Sequence, residues 1–172
     1  MNNTSLLASP DDVSNAIAQM ATRIIKDYRG SSPLFVALLR GAAPFTSKLM
    51  FEIARQDPEF HAELDYMMVS TYGTDRTAGE PRIVTGLAPD TIVQDRTAII
   101  LDDVLDKGIT ANFVMSHLKS RGARTVKLAV LCDKRTTRTQ PVSADYYCFQ
   151  FDDVWLAGMG MDNAHTAPEA YR

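Results

Sequence analysis

Residues 97–110 read TAIILDDVLDKGIT and combine a short apolar run with two adjacent acids and a turn. The apolar run is short enough to form a strand buried on both faces, which is typical of parallel sheets. Asp102 and Asp103 follow it, and Gly108 introduces the turn into the next helix. The N–H groups of such a loop, with a helix N-terminus behind them, predict an anion site to which the Thr110 hydroxyl adds a donor. A phosphate suits this site, and the paired carboxylates suit the vicinal hydroxyls of a sugar.

The alternation of strand, turn and helix continues in both directions along the chain. The pattern predicts helices at 9–30, from Pro44 to before Asp57, and from the Gly108 turn to Gly122. It predicts strands at 34–39, 64–70, 97–101, 125–132, 144–151 and 153–159. This order favours right-handed crossovers and therefore an α/β fold with a twisted, mainly parallel sheet flanked by helices.

The predicted sheet brings several polar residues to one edge. Ligands of parallel sheets bind where the strands end, so the expected site combines the following residues: Arg40, Gly41, Ser70, Asp102, Asp103, Lys134 and Asp162. Residues 71–95 are polar and rich in glycine and proline. A segment of this length predicts an active-site lid or a small projecting hairpin.

Composition narrows the class of protein. The 172 residues are 45% hydrophobic and 23% charged, with a net charge of −3, which excludes a disordered chain and a collagen and argues against a general nucleic-acid binder. The longest apolar run is residues 34–39, far shorter than a membrane span of roughly 18 residues. The start of the chain is not that of a secretory signal. Two cysteines, Cys132 and Cys148, are too few for a disulfide framework, so a cytoplasmic location is expected.

Residues 102–110 resemble the phosphoribosyl-diphosphate motif of the type I phosphoribosyltransferases. That motif has two acids, two apolar residues, Asp, Thr, Gly, a variable residue and Thr. The matching residues are Asp102, Asp103, Asp106, Gly108 and Thr110. Lys107 stands where the motif has its first threonine.

Further segments narrow the resemblance to the hypoxanthine-guanine phosphoribosyltransferases. LRGAAPF at 39–45 is similar to that family's diphosphate loop. The resemblance implies that Arg40 and Gly41 bind diphosphate and that the Leu39–Arg40 peptide bond is cis. VSTYG at 69–73 resembles the start of the family's mobile loop, in which Ser70 and Tyr72 would close over the reacting centre.

The second half of the chain resembles the purine side of that family. VLCDKRTTR at 130–138 is similar to its specificity segment, where Lys134 would donate to the 6-oxo group of the base. The amino group of adenine would place donor against donor there. DVWLAGMGMD at 153–162 is similar to the base-stacking segment. Trp155 would stack on the purine and the backbone of Leu156 would contact its edge.

The end of that segment departs from the family pattern. Asp162 would lie near the metal ion, and the family places a diphosphate-contacting arginine a few residues after it. The next arginine here is Arg172, which is the candidate for that role.

The resemblance implies one phosphoribosyltransferase domain over residues 1–172. A mobile loop at about 71–95 and a small hood at about 134–172 are expected. The implied reaction is purine salvage: Mg²⁺-dependent transfer of the 5-phosphoribosyl group from phosphoribosyl diphosphate to N9 of hypoxanthine or guanine. The products would be IMP or GMP and diphosphate.

The resemblance also implies roles within the site. Asp106 would be the catalytic general base on the imidazole proton of the purine. Asp102 and Asp103 would hold ribose hydroxyls and, with Asp162, the Mg²⁺ ion. The 5′-phosphate would lie against the loop residues Lys107, Gly108, Ile109 and Thr110. The expected partners are phosphoribosyl diphosphate, a purine base and, as a homodimer or homotetramer, other copies of this chain; neither nucleic acid nor a membrane is expected.

Two other classes remain open at this point. A pyrimidine-type or RNA-binding regulatory member of the same fold would share the Asp102–Asp103 pair, but it should lack the purine half from Lys134 to Trp155 and should present a basic face. A phosphoacceptor receiver domain has its acid pair after the first strand, whereas here the pair follows residue 101. The preference among hypoxanthine, guanine and xanthine stays open, because these bases differ at the 2-position and the substituent there is recognised mainly by backbone groups.

Overall fold

The structure is a computed structural model of the chain and describes residues 6–72 and 78–161. Three helices and six strands lie within these residues. In chain order they are α1 (Pro10–Tyr28), β1 (Leu34–Leu39), α2 (Ala43–Gln56), β2 (Glu63–Tyr72), β3 (Ala78–Thr85), β4 (Thr97–Leu105), α3 (Ile109–Ser120), β5 (Thr125–Lys134) and β6 (Tyr146–Phe151). In this part of the chain, no helix combines the length and the apolar character that a bilayer crossing requires.

The six strands form one sheet in the order β3-β2-β1-β4-β5-β6. Neighbouring strands pair in parallel except β3, which runs antiparallel to β2. Helices α1 and α2 pack on one face and α3 on the other. The predicted α/β fold with a mainly parallel sheet is therefore confirmed. Since β1, β2, β4 and β5 run the same way, they end at one edge of the sheet, called here the carboxyl edge.

The start of α1 is fixed by its own side chains. Ser9 accepts a hydrogen bond from the amide of Asp12, and the Asp12 carboxylate accepts one from the amide of Ser9. This reciprocal capping box satisfies two amides that the helix cannot pair. The first turn of α1 is thus closed by residues of the helix itself.

Replacing Ser9 with alanine is expected to lower the free energy of unfolding by about 1 kcal/mol, because an amide of the first turn then loses its acceptor. Chemical denaturation of the purified protein measures this change. Ser116→Ala, at an exposed position inside α3, is the control and should not destabilise the protein. An unchanged unfolding midpoint for Ser9→Ala would contradict the capping role.

A strand lies inside the segment that the sequence assigns to a long polar loop. Residues 71 and 72 end β2, and β3 follows at Ala78–Thr85. The hairpin alternative of the prediction therefore describes this segment better than a structureless lid. Pattern analysis does not predict this strand because it contains Pro81. Proline is tolerated on an edge strand, and β3 is at the edge of the sheet.

Part of the segment expected to form a hood, residues 134–172, belongs to the sheet instead. Lys134 ends β5 and residues 146–151 form β6, so both belong to the sheet. The strand predicted at 153–159 is wrong, since the described residues there form only an isolated bridge between Gly158 and Met161. Gly158, Met159 and Gly160 all have positive φ angles, and three consecutive left-handed residues cannot continue a strand.

Strand β4 is longer than predicted. It runs to Leu105, so Asp102 and Asp103 lie inside its last part instead of after its end. Val104 and Leu105 are paired with Cys132 and Asp133 of β5. Aspartate is rare in strands, which is why the pattern ends this strand early. The extension holds both acids on a rigid element.

Candidate active site

Most residues of the predicted site meet at the carboxyl edge. Arg40 and Gly41 follow β1, Asp106 follows β4, and Lys134 is the last residue of β5. Ser70 and the backbone of Tyr72 lie in the last three residues of β2. Asp162 and Arg172 lie outside the described residues.

The loop after β1 lies directly against the acids of β4. The Leu39–Arg40 peptide bond is cis, as the resemblance implies. A Cβ atom added to Gly41 would lie 2.0 Å from Oδ2 of Asp103 and 2.8 Å from its Cγ. Only a residue without a side chain leaves room for this carboxylate. Gly41 therefore brings the backbone of the loop into contact with the Asp103 side chain.

The two adjacent carboxylates are held by main-chain amides. The amide of Asp103 donates to Oδ1 of Asp102 at 3.0 Å, and the amide of Val104 donates to Oδ1 of Asp103 at 2.8 Å. Burial raises the pKa of Asp102 well above its ordinary value, and the negative charge of Asp103 raises that pKa further. A ligand that donates hydrogen bonds or brings positive charge here would favour the ionised pair.

Helix α3 begins at this edge with its first-turn amides available to a ligand. Its N-cap is Gly108, which has a left-handed backbone and no capping side chain, and its first turn carries no acid. Helix α2, which follows the Gly41 loop, also starts without an acidic residue or a side-chain cap, but Pro44 in its first turn has no amide hydrogen and the Ala43 amide donates to the Arg40 carbonyl. Uncapped first-turn amides and the helix dipole both favour an anion. The start of α3 thus offers first-turn amides to an anion, whereas the start of α2 contributes mainly its dipole.

Lys134 joins the purine half of the predicted site to the loop after β4. Its side chain is only 11% exposed, and its Nζ lies 4.0 Å from Oδ2 of Asp106 and 3.8 Å from Oδ1 of Asp153. These distances exceed that of a hydrogen bond, so these two ion pairs leave the ammonium hydrogens to another acceptor. Oδ1 of Asp106 is buried and has no hydrogen-bond partner among the described residues.

The segment after β5 is hydrogen-bonded to the loop after β4. The guanidinium of Arg138 donates to the carbonyl of Asp106 at 2.9 Å, to the carbonyl of Lys134 at 3.2 Å and to the Asp133 carboxylate. The Lys107 carbonyl accepts from the amides of Thr139 and Gln140. Pattern analysis missed this role of Arg138, although the residue lies in the basic segment that the resemblance singles out.

The segment after β6 returns over the Gly41 loop. A Cβ atom added to Gly160 would lie 2.7 Å from Cγ of Pro44 and 3.4 Å from the carbonyl oxygen of Gly41. Trp155 is 63% exposed, while Leu156 is partly buried against the core. Trp155 follows Asp153 by two residues, and Asp153 lies beside Lys134. The predicted stacking residue is therefore two residues along the chain from an ion-pair partner of the lysine.

The cysteines contribute no reactive thiolate. Cys132 and Cys148 are both free. Burial raises the pKa of each thiol to about 12, so both are protonated at neutral pH. Within residues 6–72 and 78–161, histidine, cysteine and acidic side chains form no group of three or more that could hold a metal ion. Asp162, which the resemblance places near the metal, lies outside these residues.

Comparisons with known proteins match most of the chain. Residues 5–164 match the family model described as phosphoribosyl transferase domain. The hypoxanthine-guanine phosphoribosyltransferase of Streptococcus pyogenes serotype M3 (strain ATCC BAA-595 / MGAS315) is 33% identical over 162 residues, which cover 94% of this chain and 86% of that protein. Its counterpart in Streptococcus thermophilus (strain CNRZ 1066) is 34% identical over 158 residues, which cover 91% of this chain and 84% of that protein.

A solved structure gives the same result for the fold. The hypoxanthine phosphoribosyltransferase of Staphylococcus aureus, in its tetragonal crystal form, superposes with a TM-score of 0.84 at 25% identity, covering 98% of this chain and 92% of that one. The likeness therefore extends over the whole sheet and its helices. This chain belongs to the phosphoribosyl transferase family and, within it, to the hypoxanthine-guanine phosphoribosyltransferases.

Proposed function

We propose that this protein transfers the 5-phosphoribosyl group of phosphoribosyl diphosphate to N9 of a 6-oxopurine, hypoxanthine or guanine. The observation that carries the proposal is the position of Lys134, whose buried ammonium lies 4.0 Å from Asp106. A 6-oxopurine offers an acceptor to the lysine and an imidazole proton to the carboxylate. Adenine would present an amino group to the same ammonium.

The donor substrate fits the other half of the carboxyl edge. The first-turn amides of α3, together with Thr110, suit the 5′-phosphate. The Arg40–Gly41 loop and the start of α2 suit the diphosphate. Asp102 and Asp103 are on β4, which lies next to β1 and leads into α3, and their carboxylates suit the ribose hydroxyls. Lys107, next to the 5′-phosphate site, is exposed and adds a positive charge where the family has a threonine.

The site fits Mg²⁺ as part of the substrate complex. Asp102 and Asp103 supply hard oxygen ligands, and Asp162 completes the proposed set. Mg²⁺ takes few protein ligands and the remainder from water and phosphate oxygens, which agrees with a site of two adjacent carboxylates. When bound, the ion neutralises part of the charge on the diphosphate leaving group.

The side chains then divide the work of the reaction. The bond between C1 of ribose and the diphosphate oxygen breaks, and N9 of the purine forms the new bond. Asp106 takes the imidazole proton, since its side chain is 45% exposed and a bound base can contact its carboxylate. Lys134 orients the base through its 6-oxo oxygen, and Trp155 stacks on its face. Ser70 and Tyr72 close over the centre and exclude water.

Several further features of the proposed enzyme are predictions from the sequence. Closure of the segment at about 71–95, a hood that covers the purine, and a homodimer or homotetramer stay predictions. So do a cytoplasmic location and the contact between Arg172 and diphosphate.

A panel of bases tests the reaction directly. The purified protein with Mg²⁺ and phosphoribosyl diphosphate is expected to convert hypoxanthine or guanine to the nucleotide. Adenine should be slower by about 10²-fold or more in kcat/KM, because the site would leave a buried ammonium facing an amino group. Conversion of uracil alone, or of none of the bases, would overturn the proposal.

Replacing Lys134 with methionine is expected to lower kcat/KM for hypoxanthine by about 10²-fold. The rate with adenine should change far less, because no favourable contact with its amino group is lost. The ratio of the two rates is the measurement. Lys48→Met, at an exposed position on α2 where the ammonium contacts Ser14, is the matched control and should keep the ratio. An unchanged ratio in Lys134→Met would remove the lysine from base selection.

A further inference from the structure

The segment after β5 carries an arginine whose bonds span the two halves of the site. Arg138 is 17% exposed at its side chain, and its Asp133 partner is 11% exposed. One guanidinium nitrogen donates to the Asp106 carbonyl at 2.9 Å. The other donates to the Lys134 carbonyl at 3.2 Å and to the Asp133 carboxylate. A single, partly buried group thus holds the main chain of both residues that the proposed reaction uses on the purine.

The surroundings of Arg138 keep this guanidinium in one place. Its Cδ would lie 3.2 Å from a Cβ added to Gly108, so the side chain packs directly on the turn into α3. The second oxygen of Asp133 accepts from Gln150 on β6 at 3.2 Å. The amides of Thr139 and Gln140 donate to the Lys107 carbonyl at 3.0 and 3.1 Å. The loop after β4 and the segment after β5 are therefore linked at several points.

No direct hydrogen bond fixes the Lys134 ammonium relative to the Asp106 carboxylate, since the two lie 4.0 Å apart. Their spacing depends on the backbones that carry them. Arg138 bonds the carbonyls of both residues. We propose that Arg138 is a positioning residue for base recognition, which sets the distance between Lys134 and Asp106 to the spacing between the 6-oxo oxygen and the imidazole ring of the purine. This inference rests on the proposed function.

The chemistry of arginine suits this role and that of lysine does not. A guanidinium presents several N–H donors in a planar fork, so it bonds two carbonyls and a carboxylate at once. An ammonium carries the same charge at a single point. Arg138→Lys therefore keeps the charge of the segment and removes the simultaneous bonds to Asp106 and Lys134.

Steady-state kinetics of Arg138→Lys test the proposal. The KM for hypoxanthine is expected to rise about tenfold, since small misplacements of binding groups are costly. The KM for phosphoribosyl diphosphate should stay within about twofold, because the amides of Thr139 and Gln140 still hold the Lys107 carbonyl of the 5′-phosphate loop in this variant. Calorimetric titration with inosine 5′-monophosphate gives an independent readout, and its Kd should also rise about tenfold. A general disturbance of the folded site would instead raise both KM values.

Two further variants make the outcome decisive. Arg55→Lys is the matched control: Arg55 is exposed at the end of α2 and pairs with Glu52, and both KM values should match the wild type. If Arg138→Lys does not fold, Asp133→Asn should produce the same one-sided rise in KM to a smaller extent. Equal changes in both KM values, or none, would overturn the inference. A wild-type protein that turns over neither hypoxanthine nor guanine would overturn the proposed function instead.

Discussion

Replacing Asp106 with asparagine is expected to lower kcat with hypoxanthine by about 10²–10⁴-fold, the range that a general base contributes. Asparagine has the same shape but cannot accept the imidazole proton. The carboxylate makes only a distant ion pair with Lys134 at 4.0 Å, so the fold should lose little stability. Single-turnover kinetics measure the chemical step, and thermal unfolding measures the stability.

Asp153→Asn separates proton transfer from a change in the charge around Lys134. Asp153 lies 3.8 Å from the same ammonium and is 75% exposed at its side chain. Its replacement should affect the KM for the base more than kcat. If Asp153→Asn lowers kcat as much as Asp106→Asn does, the loss comes from the environment of the lysine, and Asp106 is not the base. Asp11→Asn, at an exposed position on α1, controls for the loss of a carboxylate elsewhere.

Replacing Gly41 with alanine is expected to lower kcat/KM for phosphoribosyl diphosphate by about 10²-fold, as a misplacement of about 1 Å in a binding group can do. The new methyl group would lie 2.0 Å from Oδ2 of Asp103 and must displace that carboxylate. The Gly41 backbone lies outside the left-handed region, so alanine adopts its conformation and the fold should persist. Initial rates at varied donor concentration and thermal unfolding together check this.

Gly30→Ala is expected to show the opposite pattern. Gly30 lies between α1 and β1 with a φ of +77°, and a Cβ there meets nothing within 4 Å. Alanine should cost about 1 kcal/mol of stability because of its left-handed backbone, with unchanged kinetics. The Asp103 displacement would be refuted if Gly41→Ala kept full activity, or if both variants lost activity and stability together.

Much of the fold could be read from local patterns. The helix at 9–30 was predicted from its capping residues and apolar periodicity, and the structure has α1 at Pro10–Tyr28. The strand at 34–39 matches β1. These elements are predictable because capping, turn chemistry and periodicity act between residues close in the sequence. The candidate site was predicted from a motif in the same way, since the acids and the glycine turn of residues 102–110 are contiguous.

The errors have a common physical origin. Pro81 and Gly79 disfavour a strand locally, but pairing with β2 at the sheet edge overrides that preference at β3. At 153–159 the composition is apolar enough for a strand, but the backbone turns at Gly158 to place Gly160 on Pro44. In both cases a contact with a distant part of the chain decides the conformation.

The amino-acid sequence alone determined the three helices and five of the six described strands, together with the acid pair and the glycine turn into α3. It did so because each depends on neighbouring residues. Only the tertiary structure decided that Gly41 lies against Asp103 and that Arg138 bonds the carbonyl of Asp106, 32 residues earlier. Such contacts depend on how the parallel strands align at their carboxyl edge. The residues next to Gly41 or Arg138 in the sequence therefore do not reveal which distant residue packs against them.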